Sequence, residues 1–445
     1  MARIYPFRAL RYNLAQVSAQ DVVTQPYDKI TPAMQEAYYQ RSPWNLVRII
    51  QRLPELFDGE GDLYANAARD FTAWRKAGIL AQESRPCVFA YAQRFAVPGQ
   101  SGVVRERRGF IALGELHPYS QEVVFRHEQT LAKPKADRLN LLRATRAHFG
   151  QIFMLYSDPA HTAEQLLFGD GEAEDALPDI EVTDEYGVLH RVWRISDPAK
   201  INLLTTSLED KKLIIADGHH RYETALAYAK ERAGPAGAET CERPSAGLPQ
   251  PPYPEAAAMM TFVNMDSEGL VILPTHRVVF GVKGFSAARL LEAAQAYFDI
   301  EKLAERDAAA AMARLAGMGR TAFAAVTAEG WFLLLAKEAA VAEALNEIPA
   351  RQRQLDVVQL HNLVLEKLLG ITPEAIREER NLRYLRDAAE AAGEVARGEA
   401  NVTFLMNPVT LDQLREIAFA GEVMPQKSTD FYPKLLSGLA IYALD

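Results

Sequence analysis

Leu213-Ile214-Ile215-Ala216-Asp217-Gly218-His219-His220-Arg221-Tyr222-Glu223-Thr224-Ala225 is the stretch on which the reading of this chain turns. Four apolar residues in a row read as a buried strand. Asp217-Gly218 is a tight turn, and residues 222–233 read as a helix. A strand that runs through a glycine straight into a helix aims first-turn N–H groups and the positive end of the helix dipole beyond the strand. Gly218 lets a ligand approach the backbone closely. His219, His220 and Arg221 add donors at the same place, where dipole complementarity favours acids instead. The pattern suits a phosphate group, with Asp217 at the turn. The plainer alternative is a helix capped by Asp217 with its basic residues merely exposed.

Upstream of this block, residues 31–41 and 61–78 read as helices, the second burying Trp74. Short apolar runs at Cys87–Ala92, Gly109–Leu116, Ile152–Tyr156 and Leu189–Ile195 read as strands. Residues 137–149 place Leu139, Leu142 and Phe149 at helical spacing. Downstream, residues 234–254 hold six prolines and three glycines, so a loop is expected there. The second half alternates strands (about 258–265, 275–280, 321–327, 331–336 and 401–406) with helices (about 284–298, 305–316, 355–369 and 409–420). The fold class is therefore α/β, of a mixed α+β kind. The division expected is an α/β region at 1–233, a Pro/Gly-rich loop at 234–255 and a C-terminal α/β region at 256–445.

Three further blocks carry candidate chemistry. Arg126-His127-Glu128-Gln129-Thr130 opens a stretch to Arg146 with six Lys/Arg against two acids, a local excess of four positive charges. Lys135 and Arg138 are anion-binding candidates there, and His127 and Glu128 are proton-transfer candidates. The spacing is not His-Glu-x-x-His, so a two-histidine zinc helix is excluded. Leu273-Pro274-Thr275-His276-Arg277 precedes an apolar strand and offers His276 and Arg277. Gly421-Glu422-Val423-Met424-Pro425-Gln426-Lys427-Ser428-Thr429 nearly matches a P-loop, but Gln426 replaces the second glycine and a helix, not a strand, precedes it. Lys427, Ser428, Thr429 and Lys434 remain candidates for contacting phosphate or carboxylate. For each block the plainer reading is structural: a solvated charged loop, a polar strand start, and a turn packed back through Phe431 and Tyr432.

The 445 residues suggest about two to three domains. With 49% hydrophobic and 24% charged residues, the composition is that of a globular protein with a sizeable core. A net charge of −9 argues against wrapping nucleic acid or lying on anionic lipid. Two cysteines, Cys87 and Cys241, cannot make a disulfide framework and suit a reducing compartment. The N-terminus has no continuous apolar segment of the signal-peptide kind, and no apolar run of about 18 residues occurs. A cytoplasmic protein is expected.

Seven blocks, in order, resemble the signature of family 1015 of domains of unknown function. They are Gln25-Pro26-Tyr27-Asp28, Pro43-Trp44-Asn45-Leu46-Val47-Arg48, His127-Glu128-Gln129-Thr130, Lys135-Ala136-Asp137-Arg138-Leu139, Ala216 to Ala225, Leu273 to Arg277 and Met424 to Thr429. The resemblance covers essentially the whole chain; Gln25 stands where the family often has a first proline. Over about fifteen residues, the Asp-Gly-His-His-Arg block is also similar to the nucleotide-binding motif of the ParB and sulfiredoxin superfamily. That superfamily includes partition proteins that hydrolyse CTP, sulfiredoxins that use ATP and free-serine kinases. The resemblance implies a ParB/sulfiredoxin-like nucleotide-binding core with an added C-terminal α/β region. Gly218, His220 and Arg221 would then hold phosphate. Sulfiredoxin activity is not expected, because no cysteine lies in the motif. Nor is a partition protein, because no helix-turn-helix stands out.

The resulting expectation is a small-molecule kinase: phosphate moves between ATP or ADP (CTP as the alternative nucleotide), with Mg2+, and a small metabolite, a free amino acid such as serine. Asp217, Glu128 and His127 are the catalytic candidates. A CTP/ATP-binding regulatory switch is the second reading. A metal-dependent hydrolase using His127, His219, His220 and His276 is the third. Assembly into a homo-oligomer stays open.

Overall fold

A computed structural model describes the chain except residues 54–61, 131, 170–176 and 234–246. The chain forms two compact units. The first comprises Met1–Arg126, Thr130–Leu270 and Pro433–Asp445, and the second His127–Gln129 and Val271–Tyr432.

The first unit is built on a nine-stranded mixed sheet. Its strands are β1 (Ile4–Tyr5), β2 (Val88–Ala96), β3 (Val104–Glu115), β4 (Val124–Phe125), β5 (Ile152–Tyr156), β6 (Ile180–Thr183), β7 (Leu189–Ile195), β8 (Leu213–Asp217) and β9 (Ala257–Asn264). The order is β4-β8-β5-β9-β3-β2-β7-β6, with β1 added beside β3. Only β8 with β4 and β9 with β5 run parallel. Every residue of β9 is buried, as its central place demands, which is why it reads as a continuous apolar run. Helices α1 (Pro32–Arg41), α2 (Leu63–Lys76), α3 (Ala132–Thr145), α4 (Pro198–Leu208) and α5 (His219–Ala233) belong to this unit. Ile215, Met154, Met260 and Phe110 pack with Ile201 and Leu204 of α4 and with Tyr222 and Ala225 of α5. Trp74 of α2, 4% exposed, joins a second cluster with Phe71, Phe149 and Ile441.

The second unit holds a six-stranded antiparallel sheet. Its strands are β11 (His276–Val279), β12 (Phe298–Lys302), β13 (Ala322–Val326), β14 (Trp331–Ala336), β15 (Leu382–Leu385) and β16 (Val402–Met406), in the order β12-β14-β13-β16-β11-β15. A separate ribbon pairs β10 (Val271–Leu273) with β17 (Asp430–Tyr432). Helices α6 (Ala287–Ala294), α7 (Ala308–Ala316), α8 (Ala388–Ala396) and α9 (Leu411–Phe419) belong to this unit.

Several expectations shift. The expected helix 284–298 stops at Ala294, because Phe298 begins β12 and pairs with Ala336. The expected helix 137–149 ends at Thr145; Arg146 takes a left-handed φ of 48° and Ala147–His148 pairs with Tyr442–Ala443. Helix 355–369 continues from Asp356–Gln359 as a π-helical stretch, Leu360–Leu368. The division expected at 234–255 falls instead after Leu270, since β9 pairs on both sides inside the first sheet. Of the expected loop, residues 234–246 lie outside the described residues.

Candidate functional site

β8 ends at Asp217, and Gly218 turns the chain at φ +92°. The Gly218 carbonyl accepts from Tyr222 N at 2.9 Å, so the glycine caps α5 and Asp217 is left for other work. A Cβ at Gly218 would lie 3.0 Å from the Arg221 guanidinium, so only glycine lets that group fold flat over the turn. Arg221 Nη1 donates to the Gln151 carbonyl, and Nη2 donates to Asp217 Oδ2 at 3.4 Å. Lys434 Nζ stands 3.9 Å from the same oxygen. Burial opposes ionisation of Asp217, yet Lys434, Arg221 and Lys29 hold its carboxyl far below the usual range.

Four chain segments therefore meet at the turn: residues 27–29, α3, the start of α5 and the segment after β17. Arg138 of α3 lies 4.2 Å over the Tyr27 ring and donates to the Ile50 carbonyl. Arg138 and Arg221 line one cavity of about 70 Å³ with Tyr27, Leu141, Phe149 and Thr224. Among the described residues the Thr224 hydroxyl, on a residue 4% exposed, has no hydrogen-bond partner. A neighbouring cavity of about 240 Å³ shares Tyr27, Ile50, Arg138 and Leu141 and adds Arg52 and Tyr64.

Lys135 does not stand open as its sequence suggests. Its Nζ donates to Glu223 at 2.9 Å, where Thr130 Oγ1 also donates at 2.6 Å and Arg126 pairs at 3.4 Å. Burial works against the charge of Glu223, but Thr130, Lys135 and Arg126 keep its carboxyl below the ordinary value. Arg143 pairs with Glu231, and Arg146 with Glu255 at 3.3 Å. The local basic excess read from residues 126–146 is thus met by three glutamates distant in sequence. His220 is half-buried, and its pKa is lowered by burial against the pull of Asp28 and Glu223.

His219 is buried, and burial pushes its pKa down to about 3. It is uncharged near neutral pH and could offer a phosphate only a neutral N–H. His276, 1% exposed, is pushed down to about 4 for the same reason. Both folded values lie below the ordinary 6.5, so the unfolded chain binds more protons than the folded one between about pH 6.5 and 4. Stability from these groups is present above pH 6.5 and is lost as the pH falls. Lowering the pH from 7.5 to 5 should cost on the order of 2 kcal/mol for each histidine. The thermal midpoint measured across that range checks this; a flat midpoint contradicts it.

The remaining candidates lie in the second unit. His127 and Glu128, read from sequence as partners of Lys135, belong with the segment 424–429 instead. Met424 N donates to the His127 carbonyl at 2.8 Å, His127 Nε2 bonds Thr429 Oγ1 at 2.8 Å, and Lys427 N donates to Glu128 Oε1 at 3.1 Å. Backbone pairing of Glu128 with Met424 draws these residues out of the basic block. Ser428 Oγ donates to the Pro425 carbonyl at 2.5 Å, and Lys427 takes a left-handed φ of 58°. Gly421 terminates α9 at φ +71°, with Glu422 N donating to Ile417 O. A helix before it and a strand, β17, after it are the reverse of a P-loop. His276 Nδ1 accepts from Met406 N at 3.2 Å. Arg277 donates to the carbonyls of Thr275 and Lys427.

Sequence reasoning passed over Glu223, Lys29 and Gln151. Glu223 stood inside the quoted block, and its place one helical turn after His219–His220 was the available signal.

The family model described as "Protein of unknown function (DUF1015)" matches residues 4–358. This chain belongs to that family. No curated protein matches this DUF1015 chain. Among solved structures it is similar to a conserved hypothetical protein from Pyrococcus furiosus, at 13% identity and TM-score 0.33, covering 69% of this chain and 87% of that one. It is also similar to a free serine kinase in complex with AMP, at 13% and 0.34, covering 71% and 89%. A third is SbnI with a C-terminal truncation from Staphylococcus aureus, at 11% and 0.34, covering 74% and 85%. Likeness at this level says nothing of the activity of the DUF1015 chain. Among its described residues no helix is long and apolar enough to cross a membrane.

Proposed function

We propose that this protein is a nucleotide-dependent phosphotransferase acting on a small metabolite, a free amino acid such as serine. One observation carries the reading: Arg221 and Arg138, from two different helices, line the cavity beside the Asp217-Gly218 turn. Such chemistry is mostly positioning and charge stabilisation, so donors held in advance matter more than a reactive nucleophile. In this reading the backbone of Gly218–Arg221 and the Arg221 guanidinium hold the phosphates of ATP or ADP. Leu141 and Phe149 supply the apolar wall. Asp217, held so far below neutrality, is a poor proton acceptor and serves to orient Arg221 and Lys434. His220, half-buried and neutral, is the better base for a hydroxyl acceptor.

Mg2+ would arrive with the nucleotide. The cations around Asp217 disfavour a second positive ion there, and among the described residues no three His, Cys, Asp or Glu side chains are grouped to hold a metal. The four-histidine hydrolase gains nothing from the same observation, since no such metal-holding group occurs among the described residues.

The test is 31P NMR of the protein with Mg2+, L-serine and ATP or ADP in turn. The expected result is a new phosphomonoester signal that grows with time and needs both nucleotide and serine. Bound nucleotide without turnover of any amino acid would overturn the kinase reading and favour the CTP/ATP switch.

A further inference from the structure

A cavity of about 780 Å³ lies wholly in the second unit and has no part in the reading above. Its volume is that of a small-molecule site. The polar side of its wall includes Arg277, Thr275, Gln359 and Ser428; Leu355, Val357 and Met406 are among its apolar residues.

Arg277 is the unusual member. It is 2% exposed, yet among the described residues no carboxylate pairs with it. Two of its nitrogens donate to the carbonyls of Thr275 and Lys427, its Nε has no hydrogen-bond partner among the described residues, and Tyr384 covers it at 5.4 Å. Carbonyls accept hydrogen bonds but do not neutralise charge. A buried cation without a counter-charge is destabilising, and buried charges are ordinarily paired. Gln359, 4% exposed, also leaves Oε1 without a partner among the described residues. Of the two acids in the wall, Glu338 is exposed, and among the described residues neither it nor Asp356 forms an ion pair with Arg277.

We infer that this cavity is a separate binding site for a small organic anion, a carboxylate or phosphate with an apolar body, whose charged end pairs with Arg277. The anion would supply the missing counter-charge, and Leu355, Val357 and Met406 would take the apolar part.

Saturation-transfer NMR on the full chain tests this with hexanoate, hexyl phosphate and, as the neutral control, hexanol. At least one anion should bind saturably at millimolar concentration, and hexanol should not. The stronger of the two anions identifies the headgroup class. Arg277→Met should weaken binding about tenfold or more. Ala342→Trp, which adds bulk at an exposed position of the wall, should do the same and keeps the test usable if the first variant does not fold. Equal binding of hexanol, anion binding that survives both wall variants, or no saturable binding of either anion would overturn the inference.

Discussion

Arg221→Ala should abolish most of the stabilisation that a bound nucleotide confers. At about 100 times its dissociation constant a ligand stabilises the native state by about 2.7 kcal/mol. Arg221 is the cation folded over Gly218, and it lines the cavity beside the turn. Truncating one partner of a buried charge-assisted contact costs about 2 kcal/mol or more, roughly thirtyfold in affinity. At the same nucleotide concentration the variant should retain less than about 1 kcal/mol. Some loss of intrinsic stability, about 1–3 kcal/mol, should accompany it, because the Gln151 carbonyl and Asp217 lose a donor. Arg221→Lys should recover only part of the response, since an ammonium cannot serve Gln151 and Asp217 with one planar fork. Thermal unfolding with and without ATP separates the two effects. An alanine variant with the full nucleotide shift would contradict the assignment.

Removing residues 433–445 should unfold the first unit. Thr24 and Ser437 exchange backbone hydrogen bonds at 3.1 and 2.8 Å, and Leu10 and Ile441 do so at 2.9 and 3.0 Å. Tyr442–Ala443 pairs with Ala147–His148. Leu435, Leu436, Leu439, Ile441 and Leu444 are all buried. At about 1.5–3 kcal/mol for each buried aliphatic side chain, their loss is on the order of 10 kcal/mol. A domain's whole stability is about 5–15 kcal/mol. The segment also carries Lys434, so the turn would lose a cation facing Asp217. Circular dichroism of the truncated chain should show lost structure, with no cooperative transition for the first unit. A truncated protein that melts near the full-length midpoint would contradict this.

What could be read in advance follows the range of the forces involved. Leu213–Ala216 was legible because a strand buried on both faces leaves an unbroken apolar run, and Asp217-Gly218 ends it with a turn whose φ only glycine tolerates easily. β5 and β7 were legible for the same local reasons. Phe298–Lys302 was not: Phe298 fell at the end of the expected helix 284–298, the residues after it carried no strand signal, and pairing with β14 makes the stretch a strand. The charges were harder still. Lys135 looked like an open anion ligand because Glu223, the residue that engages it together with Arg126, lies 88 positions away. His127 and Glu128 stood beside Lys135 in sequence, but hydrogen bonds to residues some 300 positions later place them in the other unit. Local motifs name the groups present; long-range contacts decide which of them meet.

The central claim is that the Asp217–Arg221 turn binds the phosphates of a nucleotide. Its most direct test is amide hydrogen exchange of the full chain with and without ATP and Mg2+, read at residues 218–222. The account predicts slowed exchange there and at Gln151, with ADP acting similarly. Unchanged exchange at the turn under ATP concentrations that raise the unfolding midpoint would place the nucleotide elsewhere and contradict the account.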